Sequence, residues 1–172
     1  TSSSSLVNLG AGAFKDAVKL TSFSLPTKVT VIADDVFSGC INIETFNVAS
    51  KLTSIGNNAF YKCEKISSIY LPDDITSIGD NAFYGCKALA EVTLPDSITD
   101  LGDYAFKDCE NLTSITIPST VKNIGNGAFL FCRSLKNVTI PNGVKELSTY
   151  MFNQCSSLSS ICLPESIETI GY

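Results

Sequence analysis

The sequence predicts an elongated repeat solenoid, seven units of 23 residues that each supply a strand on one face and a short helical turn on the other. Two ladders carry that prediction. Phe stands at Phe14, Phe37, Phe60, Phe83, Phe106, Phe129 and Phe152, each 23 residues from the next with no insertion or deletion. Three residues after each Phe come Cys40, Cys63, Cys86, Cys109, Cys132 and Cys155, with Ala17 alone in the first unit. A fixed period of this length is the signature of stacked supersecondary units. One such unit cannot bury its own apolar edge, so stability must come from stacking the units with their ladders in register.

Each unit reads L-x-x-I-x-L-P-x-x-I-x-x-I-G-x-x-A-F-x-x-C, and its elements follow from local chemistry. Before the proline the pattern alternates: Leu112, Ile115 and Ile117 point inward while Ser114 and Thr116 point outward, the period of two of a strand. Pro26, Pro72, Pro95, Pro118, Pro141 and Pro164 end the strands where no ladder bond is asked of the missing N–H, with Ala49 in that slot in the second unit. Apolar residues three apart, such as Val121 and Ile124, then fit either an extended or a 3₁₀ segment along a second wall. Gly56, Gly79, Gly102, Gly125 and Gly171 mark a bend that a β-carbon would hinder, with Ala33 and Ser148 as substitutes. The next residue, Asp34, Asn57, Asp80, Asp103, Asn126 or Thr149, is a good N-cap for a single helical turn carrying Ala-Phe and Cys. Seven strands about 4.8 Å apart make a parallel sheet roughly 29 Å long with one open face. Nine of the ten Phe belong to the core, seven on the ladder plus Phe23 and Phe46; Phe131 is the exception.

Composition narrows function. The 172 residues are 44% hydrophobic, enough for a sizeable core, and carry a formal charge of -5, the wrong sign for neutralising phosphate. Nucleic acid and anionic membrane are therefore not expected partners. No run of about 18 apolar residues exists to span a bilayer, so no membrane insertion by this segment is expected. The N-terminal stretch has neither an initiator Met nor a signal pattern, the first turn has Ala11 and Ala17 in place of cap and Cys, and the last stops at Gly171-Tyr172. Since solenoids need polar caps for solubility, residues 1–172 read as one repeat domain cut from a longer array or a multidomain protein.

Catalysis has little to work with. There is no His, which removes Ser-His and Cys-His pairs and every His-based zinc site. Neither a phosphate-binding G-x-x-x-x-G-K-[ST] loop nor a C-x-x-C pair occurs, and no catalytic residue, metal site or cofactor is expected. The carboxylates Asp73, Asp74, Asp96, Asp100, Asp103 and Asp108 gather in the middle units and read as solvated loops. Six of the seven Cys share one interior ladder, which favours buried free thiols over a disulfide framework. Cys162 departs from it and falls in an outward strand column, where it should be accessible.

The unit, and ENLTSITIPSTVKNIGNGAFLFC in particular, resembles the treponemal-type leucine-rich repeat of BspA-like surface proteins. That resemblance covers essentially the whole chain and implies a leucine-rich-repeat fold, a right-handed superhelix with a parallel sheet on one face. It also implies a secreted or surface-anchored protein, some of whose relatives adhere to host matrix proteins. No family motif marks a ligand site.

Two surfaces remain open to a protein or glycoprotein partner, host extracellular matrix among them. The sheet face carries the outward columns Ser22, Thr45, Ser68, Glu91, Ser114, Asn137, Ser160 and Ser24, Asn47, Tyr70, Thr93, Thr116, Thr139, Cys162. Binding energy concentrates in aromatic and charged anchors, which here means Tyr70 and Glu91, with Asn47, Asn137, Thr93 and Thr116 as polar contacts. On the turn side, Tyr61, Tyr84, Leu130 and Phe131 form a candidate interface strip interrupted by Lys107. The sequons at Asn111 and Asn137 would matter only in a eukaryotic secretory pathway, where a glycan on Asn137 would obstruct the sheet face. The sequence thus points to a non-catalytic binding scaffold of an adhesin-like surface protein, with a passive spacer as the alternative.

Overall fold

The computed structural model describes residues 5–48 and 51–171; Ala49 and Tyr172 lie outside them. The chain is a parallel β-solenoid of about six turns: six intervals of 23 residues separate Ser22 from Ser160, the equivalent first residues of the first and last strands of the sheet face. The structure thus supports about six turns where the sequence predicts seven units.

The sheet-face wall comprises β1 (Ser22–Ser24), β3 (Thr45–Asn47), β5 (Ser68–Ile69), β7 (Glu91–Thr93), β9 (Ser114–Thr116), β11 (Asn137–Thr139) and β13 (Ser160–Cys162). The second wall comprises β2 (Val31–Ile32), β4 (Ser54–Ile55), β6 (Ser77–Ile78), β8 (Asp100–Leu101), β10 (Asn123–Ile124), β12 (Glu146–Leu147) and β14 (Thr169–Ile170). The choice between an extended and a 3₁₀ second wall is thereby resolved as strand. Every pairing between these strands is parallel and offset by one repeat, as in Glu91↔Ser114 and Ile78↔Leu101.

Apolar inward columns from both walls meet the Phe ladder. Phe37, Phe60, Phe83, Phe106 and Phe129 are fully buried, while Phe14 and Phe152 at the ends are half-buried. Successive rings are nearly parallel, with centroids 5.2 Å apart at Phe83–Phe106 and 5.8 Å apart at Phe106–Phe129, the offset stacking that ring quadrupoles favour. Phe46 meets Phe60 edge-on at 4.7 Å, and Phe23 meets Phe37 likewise at 4.8 Å. Phe131 is half-buried outside the ladder, in a left-handed conformation with φ 61°.

The short helical turns are not formed: among the described residues every regular element is a strand, and the Ala-Phe segment is a chain of tight turns. Two left-handed residues in each corner prevent a helix. One follows the Asx position (Asp35, Asn58, Asn81, Tyr104) and one lies two past the Phe (Asp16, Gly39, Lys62, Gly85, Asp108, Phe131). Alternate N–H groups then point along the stack instead of back along the chain. Asp35, Phe37 and Gly39 donate to the carbonyls of Asn57, Ala59 and Tyr61 in the next coil.

The N-cap assignment is corrected in the same way. Asp34 Oδ1 accepts from the N–H of Asn57 at 2.7 Å, Asn57 Oδ1 from Asp80, Asp80 Oδ1 from Asp103, and Asp103 Oδ1 from Asn126. Each Asx side chain caps its counterpart one coil later, not an N–H two or three residues on. A hydroxyl ladder runs beside it, with Thr53, Thr76 and Thr99 each donating to the carbonyl of the Thr one coil earlier.

Candidate functional site

On the sheet face the strand alternation holds. Val92, Ile115 and Val138 are buried, and Glu91, Thr93, Ser114, Thr116, Asn137 and Thr139 are exposed. Tyr70 immediately follows β5 and is 64% exposed, far more than the rings packed inside. Because Ser68 pairs with Glu91, Tyr70 stands level with Thr93 and diagonal to Glu91. The three residues come together in a depression of about 360 Å³, lined also by Ser68, Ile69, Leu71, Asp73 and Pro95. Asn47, Thr116 and Asn137 are exposed on the same face but do not line it. Two of them serve the face internally: Asn47 donates to Ser24 Oγ, and Asn137 Oδ1 accepts from Ser160.

The turn-side strip assembles only in part. Tyr61 and Tyr84 stack at 4.9 Å and are half-buried. Leu130, by contrast, is only 9% exposed, so it offers little surface to such a strip, although it stands outside the apolar core cluster. The aromatic rings are capped by their own cations. Lys62 lies over Tyr61, Lys107 over Tyr84 and Tyr104, and Arg133 over Phe131, at 4.7 to 5.3 Å from the ring centroids. Lys107, which interrupts the apolar run in sequence, covers it in space.

All seven Cys are free, six buried and Cys162 exposed. Each ladder thiol donates to the carbonyl of the ladder Phe one coil earlier, as Cys86 does to Phe60 at 3.2 Å. A small polarisable donor is therefore what the position needs, beyond apolar bulk. Desolvation by burial raises the pKa of Cys63, Cys86, Cys109 and Cys132, and pushes Cys155 up to about 11. A thiol reagent should accordingly label one Cys per native chain rapidly and seven after denaturation. Rapid native labelling of several would contradict the ladder.

The same burial sets a pH dependence. A thiol whose folded pKa exceeds its unfolded value holds its proton longer in the folded state, so its contribution is intact below the unfolded pKa and lost as pH rises toward the folded one. Under reducing conditions the melting temperature should fall progressively above about pH 8.5 to 9. A flat profile from neutrality to pH 11, the value for Cys155, would argue against deep thiol burial.

Sequence reading missed a groove of about 770 Å³ on the second wall, lined by Asp80, Asp100, Asp103, Lys122, Asn123, Lys145 and Glu146 with the glycine corner. Its signal was present, since the Thr column changes to Lys122 and Lys145 where the Ser column changes to Asp100, Asn123 and Glu146. Hydrogen bonds from Asn123 and Thr99 hold the Asp100 carboxyl below the usual range. Asp73, Asp74 and Asp96 are exposed in loops, and Asp103 supports the Asx ladder. Among the described residues no group of three or more His, Cys, Asp or Glu is placed to hold a metal ion. No helix there is long and apolar enough to cross a membrane.

The stacked repeat fold is shared with known proteins. The model of the BspA type leucine rich repeat region matches in six copies over residues 7–129 and 76–172. The chain belongs to the BspA-type leucine-rich repeat family. Among solved structures of similar proteins, the leucine-rich repeat protein of T. pallidum is 34% identical with a TM-score of 0.85, over 89% of this chain and 74% of that one. A leucine rich cell surface protein from Faecalibacterium prausnitzii is 28% identical with a TM-score of 0.58, over 92% of this BspA-type chain and 52% of its own length. A leucine-rich repeat protein from Eubacterium ventriosum is 27% identical with a TM-score of 0.63, over 87% and 41%. The BspA-type chain thus spans about three quarters of the first and about half or less of the other two. No curated protein matches it.

Proposed function

We propose that this BspA-type chain is a non-catalytic binding scaffold of a cell-surface or secreted adhesin-like protein, and that it holds a protein or glycoprotein ligand, such as a component of host extracellular matrix, on its open sheet face. One observation carries the reading: Tyr70, 64% exposed beside a depression that also gathers Glu91 and Thr93, is an anchor on a face otherwise paved with small polar side chains. Exposed aromatic anchors are where binding energy concentrates. The described surface character of the F. prausnitzii relative supports the location.

Capture of purified extracellular-matrix and serum proteins by this chain is the direct test, with the double variant Tyr70→Ala, Glu91→Gln as control. Both side chains are exposed, so the melting temperature should stay nearly unchanged. Affinity for the captured protein should fall by about tenfold or more. Full retention would dismiss the sheet face, and failure to capture anything would favour a passive spacer that carries another domain.

A further inference from the structure

We propose that the depression beside Tyr70 receives a basic side chain, arginine foremost, projecting from the protein partner. The proposal rests on the sheet-face reading and names what that face recognises.

Charge is the first argument. Two carboxylates, Glu91 and Asp73, line the depression together with the hydroxyl residues Ser68 and Thr93, and no Lys or Arg lines it. Among the described residues four other carboxylates are neutralised by a lysine of a neighbouring coil: Asp35 by Lys15, Glu44 by Lys65, Glu64 by Lys87 and Glu168 by Lys145. Among the described residues Glu91 and Asp73 form no ion pair and no side-chain hydrogen bond. They are left for a cation that the chain does not supply.

The aromatic ring is the second argument. On the turn side Tyr61, Tyr84, Tyr104 and Phe131 are each capped by a cation of the chain itself. Tyr70 is the most exposed of the large hydrophobic side chains, and among the described residues no Lys or Arg lies over its ring. A planar guanidinium stacks on such a ring while its N–H groups donate to a carboxylate beside it, which an ammonium does less well. A neutral sugar would use the ring but would leave two unneutralised carboxylates facing it.

The isotope-labelled chain can be titrated with a capped peptide of glycine, serine and two arginines, and with the same peptide carrying citrulline in place of arginine. Backbone signals of residues 68–71 and 91–93 should move saturably with the arginine peptide. Binding should be about tenfold weaker for citrulline and for Tyr70→Ala, and should weaken further as salt is raised. Equal binding of the two peptides, or shifts that persist unchanged in Tyr70→Ala, would overturn the proposal. So would saturable binding of neutral oligosaccharides at these residues without arginine preference. If the double variant loses protein capture while arginine shows no preference, only the basic occupant is overturned. If the double variant retains capture, the sheet-face reading falls with it.

Discussion

Phe83→Ala should lower the stability of the fold by about 3 to 5 kcal/mol, measured as the loss in unfolding free energy in a denaturant titration. Phe83 has no exposed surface and sits between Phe60 at 5.3 Å and Phe106 at 5.2 Å, so truncation removes stacking on both sides and leaves a cavity in the middle of the core. The coils gain stability chiefly through contact with their neighbours, which makes a central defect weaken two interfaces at once. Phe152→Ala should cost less, because that half-buried ring meets only Phe129 on the ladder. Phe131→Ala should cost far less again, since Phe131 lies outside the ladder and occupies a left-handed position that no bulky side chain prefers. Equal losses for Phe83→Ala and Phe131→Ala would show that the stacked ladder is not what holds the core.

Gly125→Ala should also be damaging, for a different reason, with an expected cost of about 1 to 3 kcal/mol. Gly125 needs no left-handed backbone. A methyl group there would collide with the N of Asp103 and the carbonyl carbon of Gly102, both backbone atoms of the preceding coil. Backbone cannot swing aside as a side-chain tip can, so the two coils must separate locally and stretch the adjoining hydrogen bond that the Asn126 N–H donates to Asp103 Oδ1. Gly10→Ala is the internal control: nothing lies within 4 Å of its added methyl, so its effect should stay within about 0.5 kcal/mol. A thermal melt in which both variants match the parent would remove close coil contact as the reason for glycine at this corner.

Much of this was legible in the sequence because an exact 23-residue period superimposes equivalent environments. Once Phe37 is placed inside, Phe60, Phe83 and Phe106 follow, and so do Cys63, Cys86 and Cys109. Alternation across the strands likewise placed Tyr70, Glu91 and Cys162 outside. What was not legible concerns partners one coil away. Asp34 and Asn57 read as N-caps because an Asx side chain before a turn usually bonds locally, yet here the nearest unsatisfied N–H belongs to the next coil. Leu130 read as part of a surface strip from its column, which elsewhere holds Lys15, Tyr61 and Lys107, but in the structure it is covered by its neighbours and only 9% exposed. A clue to the turn geometry was present and unused: Asp, Asn and Gly recur at two corner slots, Asp35, Asn58, Asn81 and Gly39, Gly85, and these are residues that tolerate left-handed backbone.

By itself the sequence determined the period, the register and which columns face the core, because these depend only on which residues are apolar and how far apart they stand. The tertiary structure decided how the backbone at each corner satisfies its hydrogen bonds. An N–H in a tight turn can close a helix or reach the neighbouring coil, and only the position of that coil settles the choice. It also decided which surface charges are neutralised: Glu64 finds Lys87 and Asp35 finds Lys15 across the stack, whereas Glu91 and Asp73 are left beside Tyr70 with no such neighbour.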